Sequence, residues 1–227
     1  MSVAFPVGVG LALVLGVLVN YFSAAKGDPR FIFLGVALIA AAIVMNGIAY
    51  KKAQTGQRKT PTKGILIAVA AGVIMAFFYR FVAASMDLDD FVSPAPGKLT
   101  PYTAVFIFAT GVFASNFLFN TVAMKRPVEG PPVRIADYFR GGVRTHLVGI
   151  LGGTIWCIGT SLSMIASGKA GAAISYGLGQ GATLVSALWG IVIWKEFRGA
   201  PRVSARLNAG MFVLFLVGLG LLIYAGA

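Results

Sequence analysis

The sequence predicts an all-α, polytopic membrane helix bundle, and three observations predict it. Of 227 residues 58% are hydrophobic and only 11% charged, with a mean hydropathy of +0.85; a soluble domain of that make-up would lack the polar surface to cover itself. Apolar runs of about 20 residues, enough to cross roughly 30 Å of hydrocarbon as helices, recur along the whole chain. None of them alternates in polarity as the strands of a membrane barrel would.

Seven transmembrane helices are expected, at Val3–Phe22, Phe31–Tyr50, Gly64–Ala84, Tyr102–Met124, His146–Ser167, Gly171–Trp194 and Asn208–Ala225. The first has no basic residue before it and runs to full spanning length, unlike a cleavable signal peptide. It carries Pro6, Gly8 and Gly10 close together. The second closes at Tyr50, which reads, like Trp194, as an interface-belt residue. The third ends in Tyr79 and Arg80; the guanidinium either snorkels to headgroups or turns inward to meet a solute or the acidic Asp87, Asp89 and Asp90. On the fourth, Asn116 and Asn120 share one face in the inner half, where they line a path or bond a neighbouring helix. The fifth starts at His146, read as an interface residue, and brings Trp156 to mid-depth with Cys157, Thr160, Ser161 and Ser163 beyond it. A flat indole face suits a sugar or heterocycle, and core packing accounts for it equally well. Cys157 is the single cysteine, so no intrachain disulfide forms, and it reads as a small buried hydrophobe.

The sixth span is the most informative. Ala172, Ser175, Tyr176, Gly179, Gln180, Thr183, Ser186 and Gly190 recur at steps of three and four, which makes one face small and polar. Gln180 falls about 13 Å below the outer end at 1.5 Å per residue, near mid-bilayer. An amide there offers donors and an acceptor to hydroxyls, ureas or carbonyls. Close helix packing explains the same stripe, Gly177 to Gly181 included.

The formal net charge of +12 is carried by alternate loops. Lys51, Lys52, Arg58, Lys59 and Lys63 lie after the second span, Lys125, Arg126, Arg134, Arg140 and Arg144 after the fourth, and Lys195, Arg198, Arg202 and Arg206 after the sixth. Those loops are therefore cytoplasmic, the acidic loop at Asp87 faces out, and the charge is no sign of nucleic acid. The first span then runs outward and the sixth inward.

That orientation gives meaning to an internal repeat. Ala4-Phe5-Pro6-Val7-Gly8-Val9-Gly10 resembles Ala173-Ile174-Ser175-Tyr176-Gly177-Leu178-Gly179, and Lys26-Gly27-Asp28-Pro29 resembles Arg198-Gly199-Ala200-Pro201. A helix pair written twice in opposite orientations is the mark of an inverted-repeat carrier. The corresponding members lie five spans apart, so the expected organisation is a 5+5 inverted-repeat transporter fold: residues 1–50 are the last two helices of a first repeat, 51–63 a basic cytoplasmic linker, and 64–227 a complete second five-helix repeat. Three helices are then expected before Met1, lost by fragmentation or supplied by a partner, and fragmentation is favoured. Pro6, Gly8 and Gly10 in one copy and Gly177, Gly179 and Gly181 in the other are the expected hinges, where paired helices bend or break.

Specific residues carry a family resemblance. Gly152-Gly153-Thr154-Ile155-Trp156-Cys157-Ile158-Gly159-Thr160, the run Ala173 to Gly181, Trp189-Gly190 through Trp194-Lys195-Glu196-Phe197, Tyr79-Arg80-Phe81 and Pro101-Tyr102-Thr103-Ala104 resemble the glucose/ribose-porter branch of the drug/metabolite transporter superfamily. Plant ureide permeases and bacterial sugar permeases are similar. The resemblance implies ten helices in two halves, of which this chain matches the last seven. Ureide permeases carry a phosphate-loop-like motif in the central loop; Gln54-Thr55-Gly56-Gln57-Arg58-Lys59-Thr60 has one glycine and the wrong spacing for it.

The expected function is a secondary permease for a small polar metabolite, such as a sugar or ureide, working by alternating access in a plasma or inner cell membrane. Substrate contacts are expected from Gln180, Trp156, Tyr176, Ser175, Thr183, Thr160, Asn116, Arg80 and Tyr79. The alternatives are a non-transporting scaffold or partner subunit, or an inactive truncated permease. An enzyme is not expected, because one histidine, one cysteine and no mid-membrane acid leave no catalytic or metal cluster to build. The glycine runs follow no strand, so no dinucleotide or other cofactor is expected. The expected partners are the solute and the lipid bilayer, with a coupling proton or cation and a homodimer left open. All seven acidic residues, Asp28, Asp87, Asp89, Asp90, Glu129, Asp137 and Glu196, sit in loops or at helix ends, which leaves a facilitator or coupling through absent helices. Glu196 is expected to pair with Lys195 or Arg198.

Overall fold

A computed structural model describes residues 4–53, 62–127 and 130–226. Among them the helices are α1 (Ala4–Ser23), α2 (Pro29–Ala53), α3 (Thr62–Ser85), α4 (Pro101–Lys125), α5 (Ile135–Phe139), α6 (Val143–Ala170), α7 (Ala172–Gly179), α8 (Gly181–Val192) and α9 (Arg202–Gly226). No strand occurs among the described residues; Met86 and Leu99 form one isolated bridge. The start of the first span at Val3, the motif at residues 54–60 with Arg58 and Lys59, and Glu129 lie outside the described residues.

Five helices are long and apolar enough to cross a membrane: α2, α3 from Lys63, α4, α6 and α9. Each grows slightly beyond the apolar run that predicts it, because helical hydrogen bonds continue into the flanking polar turns once nucleated. Thr100 caps α4, its hydroxyl accepting from Thr103 N, and Pro101 follows where a missing N–H costs nothing. The α5 turn was not expected from hydropathy; Asp137 bonds back to the Arg134 amide and closes it.

The sixth predicted span is two helices. At Gln180 (φ −70°, ψ −9°) the α ladder is replaced by tighter turns: Gln180 N donates to Gly177 O (3.1 Å) and Thr183 N to Gln180 O (3.0 Å). Gly177, Gly179 and Gly181 bracket that point, and residues without a Cβ hold a helix least firmly. The matching glycines of α1 do not act this way: α1 runs unbroken from Ala4 to Ser23. Pro6 falls in its first turn, where no intrahelical bond is lost. Gly8 and Gly10 serve contact instead, with a Cβ on Gly8 coming 3.1 Å from Ala68 O and one on Gly10 3.4 Å from Ile43 Cγ2.

The chain forms two compact units, Met1–Ala84 with Ala166–Ala227, and Ser85–Ile165. In the first, α2 lies along α9 over its whole length, α1 packs on α2 and α7, and α7 on α9. The α2–α9 stripe repeats at helical steps: Ile32, Gly35, Val36, Ile39, Ala42, Ile43 and Ala49 are buried on one helix, and Ser204, Asn208, Met211, Phe215, Gly218, Leu222 and Ala225 on the other. At the tightest point a Cβ on Gly35 would lie 2.8 Å from Gly218 O and one on Gly218 2.7 Å from Gly35 O. Two helix backbones touch there, as small residues allow in a membrane.

The second unit contains α4, α5 and most of α6, and it buries little of itself. None of the most apolar stretch of α4 is buried, and Phe106, Phe113, Phe117, Leu118 and Phe119 are exposed along it. Such faces belong in lipid or against other helices.

Candidate functional site

Within the first unit the polar stripe of the sixth span divides at the break. Its α7 half is buried throughout, from Ala172 to Gly177. Tyr176 is held tightly: its hydroxyl donates to Ala12 O (2.9 Å), and its ring stands edge-on to Tyr79 (centroids 5.5 Å) and Phe78 (6.4 Å). The ring occupies the space that Gly16 leaves by having no Cβ. Ser175 and Tyr79 are buried beside it. This is a packed aromatic wall, set by α1 and α3.

Below the wall the environment opens. Gln180, at the break, is only partly buried, and so are Gly181 and Thr183. The helix is interrupted here by the tighter Gly177–Gln180 and Gln180–Thr183 turns. An amide side chain at the same point supplies a donor and an acceptor. Arg80 is exposed on α3, one residue past buried Tyr79. The structure therefore brings together Tyr176, Ser175 and Tyr79, sets Gln180 and Thr183 on either side of one turn, and leaves Arg80 outside that group.

The second unit holds the other expected residues. Trp156 is 51% exposed, its indole 6.3 Å from the Phe108 ring. Thr160 is partly buried one turn further along α6. Asn120 donates through Nδ2 to Asn116 Oδ1, so the two amides are bonded to each other along α4. Cys157 is partly buried, more open than expected. His146 packs its imidazole on the Tyr138 ring (4.9 Å) near the start of α6.

Two contacts at the ends of the first unit escaped the sequence reading. At one end Lys26 Nζ donates to Gly168 O (2.6 Å), capping the last turn of α6. At the other, Glu196 accepts a hydrogen bond from Tyr50 Oη, while the Tyr50 ring lies 4.9 Å from Phe197. This corrects the expected ion pair: among the described residues the ion pairs join Asp137 to Arg134 and Arg140, and Glu196 takes a phenol instead. The cause is local. Lys195 has left-handed backbone (φ 52°) and Glu196 N bonds to Gly190 O, which folds the turn back under α8. Gly190 makes the space, since a Cβ there would stand 2.8 Å from Glu196 Oε2. Tyr50 is thus more than a belt residue.

The acidic loop after α3 organises itself. Asp87 Oδ1 accepts from Asp89 N (3.0 Å) and Asp90 N (3.1 Å), and its Oδ2 from Ala95 N (2.8 Å). Those amides, with a smaller contribution from the Lys98 charge, hold the Asp87 carboxyl below the usual carboxylate range. Among the described residues no group of His, Cys, Asp and Glu is arranged to hold a metal.

Residues 49–225 match the ureide permease family model. Three curated proteins of Arabidopsis thaliana are similar: ureide permease 5 (30% identical, over 72% of this chain and 40% of that one), ureide permease 2 (27%, 70% and 40%) and ureide permease 1 (26%, 72% and 42%). The chain spans about two fifths of the length of the curated relatives it matches. No solved structure matches it significantly.

Proposed function

The chain belongs to the ureide permease family, and from that premise we propose that it carries a small polar metabolite, a ureide or a sugar, across a cell membrane by alternating access. The break at Gln180 carries the proposal. It puts a partly open amide and loosened backbone at mid-depth of an apolar helix, directly beneath a buried aromatic wall, and such a site can replace the hydration of a urea or hydroxyl group. Thr183 adds a hydroxyl on the next turn, and Trp156, Thr160, Asn116 and Arg80 are further candidate contacts. Gly177, Gly179 and Gly181 form the hinge.

The inverted repeat, with residues 1–50 answering to part of 64–227, draws support from the helix pattern. A twofold axis relating α1–α2 to the α7–α8 span and α9 exchanges α1 with that span and α2 with α9. The contacts follow that exchange, since α1 meets α7, α2 meets α9, and α1 meets α2 as α7 meets α9. The Tyr50–Glu196 contact supports placing the loops after the second and sixth spans on one side of the membrane. Seven crossings follow if α1 and the α7–α8 pair each span. We retain the wider drug/metabolite transporter assignment, a plasma or inner membrane location, coupling by a proton or cation, and a homodimer as parts of the same reading.

The chain reconstituted in vesicles tests it. Uptake of a radiolabelled ureide or sugar is expected, reduced at least about tenfold by Gln180→Ala with the folded fraction unchanged, as loss of a buried hydrogen bond to the solute implies. Imposed proton and sodium gradients distinguish coupled from facilitated uptake. Absence of uptake by folded protein overturns the reading in favour of a partner subunit or an inactive truncated permease, and uptake indifferent to Gln180→Ala and Trp156→Ala together overturns the site.

A further inference from the structure

The α2–α9 seam is dry at one end and polar at the other. Asp28 N meets Ala225 O, Phe31 stands edge-on to Tyr224, Gly35 meets Gly218 and Met45 meets Gly210, one helix descending as the other ascends. Continued one step, that register sets Asn46 opposite Asn208 and Ala49 opposite Ser204. Asn208 is 4% exposed and Ser204 fully buried. Asn46 Nδ2, Ser204 Oγ and both polar atoms of the Asn208 side chain are buried without a hydrogen-bond partner. The outer half of the seam shows the opposite character, with backbone against backbone at Gly35 and Gly218.

Three side chains with unsatisfied buried polar atoms, set in one stretch of an apolar seam by its register, call for a ligand, since buried polar groups are otherwise bonded. Together they offer donors from two amides and a hydroxyl, and acceptors from Asn208 Oδ1 and Ser204 Oγ. That donor-rich, uncharged set suits a small neutral group that takes and gives hydrogen bonds; a metal cation would meet amide N–H groups. A buried water typically makes about three such bonds. Asn46 lies about 10 Å in from the Ala53 end of α2, on the cytoplasmic side by loop charge.

We propose that Asn46, Ser204 and Asn208 form a hydrogen-bonding site in the cytoplasmic half of the α2–α9 seam, occupied by water or by the –CO–NH– group of a passing solute. The cytoplasmic assignment and the solute as a source rest on the permease reading; the polar site does not. The outer half of the seam is then the closed side and the inner half the hydrated one.

Thiol accessibility tests this in vesicles. In a Cys157→Ser background, Asn208→Cys and Ser204→Cys are expected to react with a water-soluble methanethiosulfonate at least about tenfold faster than Ala42→Cys, which lies in the dry middle of the same seam. Slowing by hydantoin, a simple cyclic ureide, identifies the solute as occupant, and unchanged fast labelling identifies water. Should both thiols in folded protein react as slowly as Ala42→Cys, the proposal is overturned; Ser204→Cys is nearly isosteric and covers the case in which Asn208→Cys does not fold. Fast labelling without hydantoin or sugar uptake removes the permease reading and leaves the site standing, while uptake with slow labelling does the reverse.

Discussion

Gly16→Ala is expected to destabilise the first unit through a single partner, Tyr176. A Cβ at position 16 would lie 2.5 Å from Tyr176 Cζ and 2.8 Å from its Oη, closer than real Cβ atoms approach anything. The ring cannot move aside freely, because Tyr79 stands 5.5 Å away on one side and the hydroxyl is bonded to Ala12 O at 2.9 Å. Overpacking of this kind costs about 1–3 kcal/mol. Loss of the membrane hydrogen bond adds about 0.6–1.7 kcal/mol. Against these, alanine is a better helix former than glycine by about 1 kcal/mol. The net expectation is a loss of about 1–3 kcal/mol. The assay is reversible unfolding in mixed micelles, followed by tyrosine and tryptophan fluorescence as the denaturing detergent fraction rises. A double-mutant cycle isolates the cause: in a Tyr176→Ala background the ring is gone, and Gly16→Ala should cost nothing or stabilise slightly. The reasoning is refuted if the two changes add within about 0.5 kcal/mol, as independent sites do.

Gly218→Ala drives a methyl to 2.7 Å from Gly35 O, so α2 and α9 must separate; a loss of about 2 kcal/mol is expected in the same unfolding assay, and an unchanged midpoint would show that the helices do not cross there. Glu196→Gln preserves a hydrogen-bond acceptor for Tyr50 whereas Tyr50→Phe leaves no phenol; Tyr50→Phe should therefore speed trypsin cleavage near Lys195 and Arg198 more than Glu196→Gln does, and the reverse order would sink the contact. The Asp87 loop should depend on pH in one direction. Because the carboxyl titrates below its ordinary range when folded, its contribution is complete above the ordinary carboxylate pKa and is lost only as pH falls through the lower folded value. Hydrogen exchange at the Ala95 amide should thus stay slow well into the acid range, and Asp87→Asn should make it faster at neutral pH; equal exchange in the two proteins would contradict the bonding.

Much of the fold is legible in the sequence because crossing a membrane is a demand on each segment separately. Hydropathy along Pro29–Ala53, Pro101–Lys125 or Arg202–Gly226 suffices to mark a helix, since in hydrocarbon the backbone can satisfy its own hydrogen bonds in no other open form. The glycine-bracketed Gln180 was legible for the same reason, as a local weakness in a local ladder. Pro6, Gly8 and Gly10 look equally weak in sequence, yet α1 is continuous. A proline in the first turn breaks no bond, and that depends on where the helix begins, which hydropathy places only approximately.

What the sequence determined by itself is the class of the molecule: a helical membrane protein, its cationic residues gathered on alternate loops, one helix with a small polar face and glycines on both sides of Gln180, and kinship with the permeases. Only the tertiary structure decided that the Tyr176 ring fills the space left at Gly16, that Glu196 answers Tyr50, and that Asn46, Ser204 and Asn208 are left with buried, unbonded polar atoms. Each of these is a property of two helices at once. A missing Cβ or an unpaired amide has meaning only through the atom across the seam, and which atom that is depends on the register between helices that lie far apart in the chain.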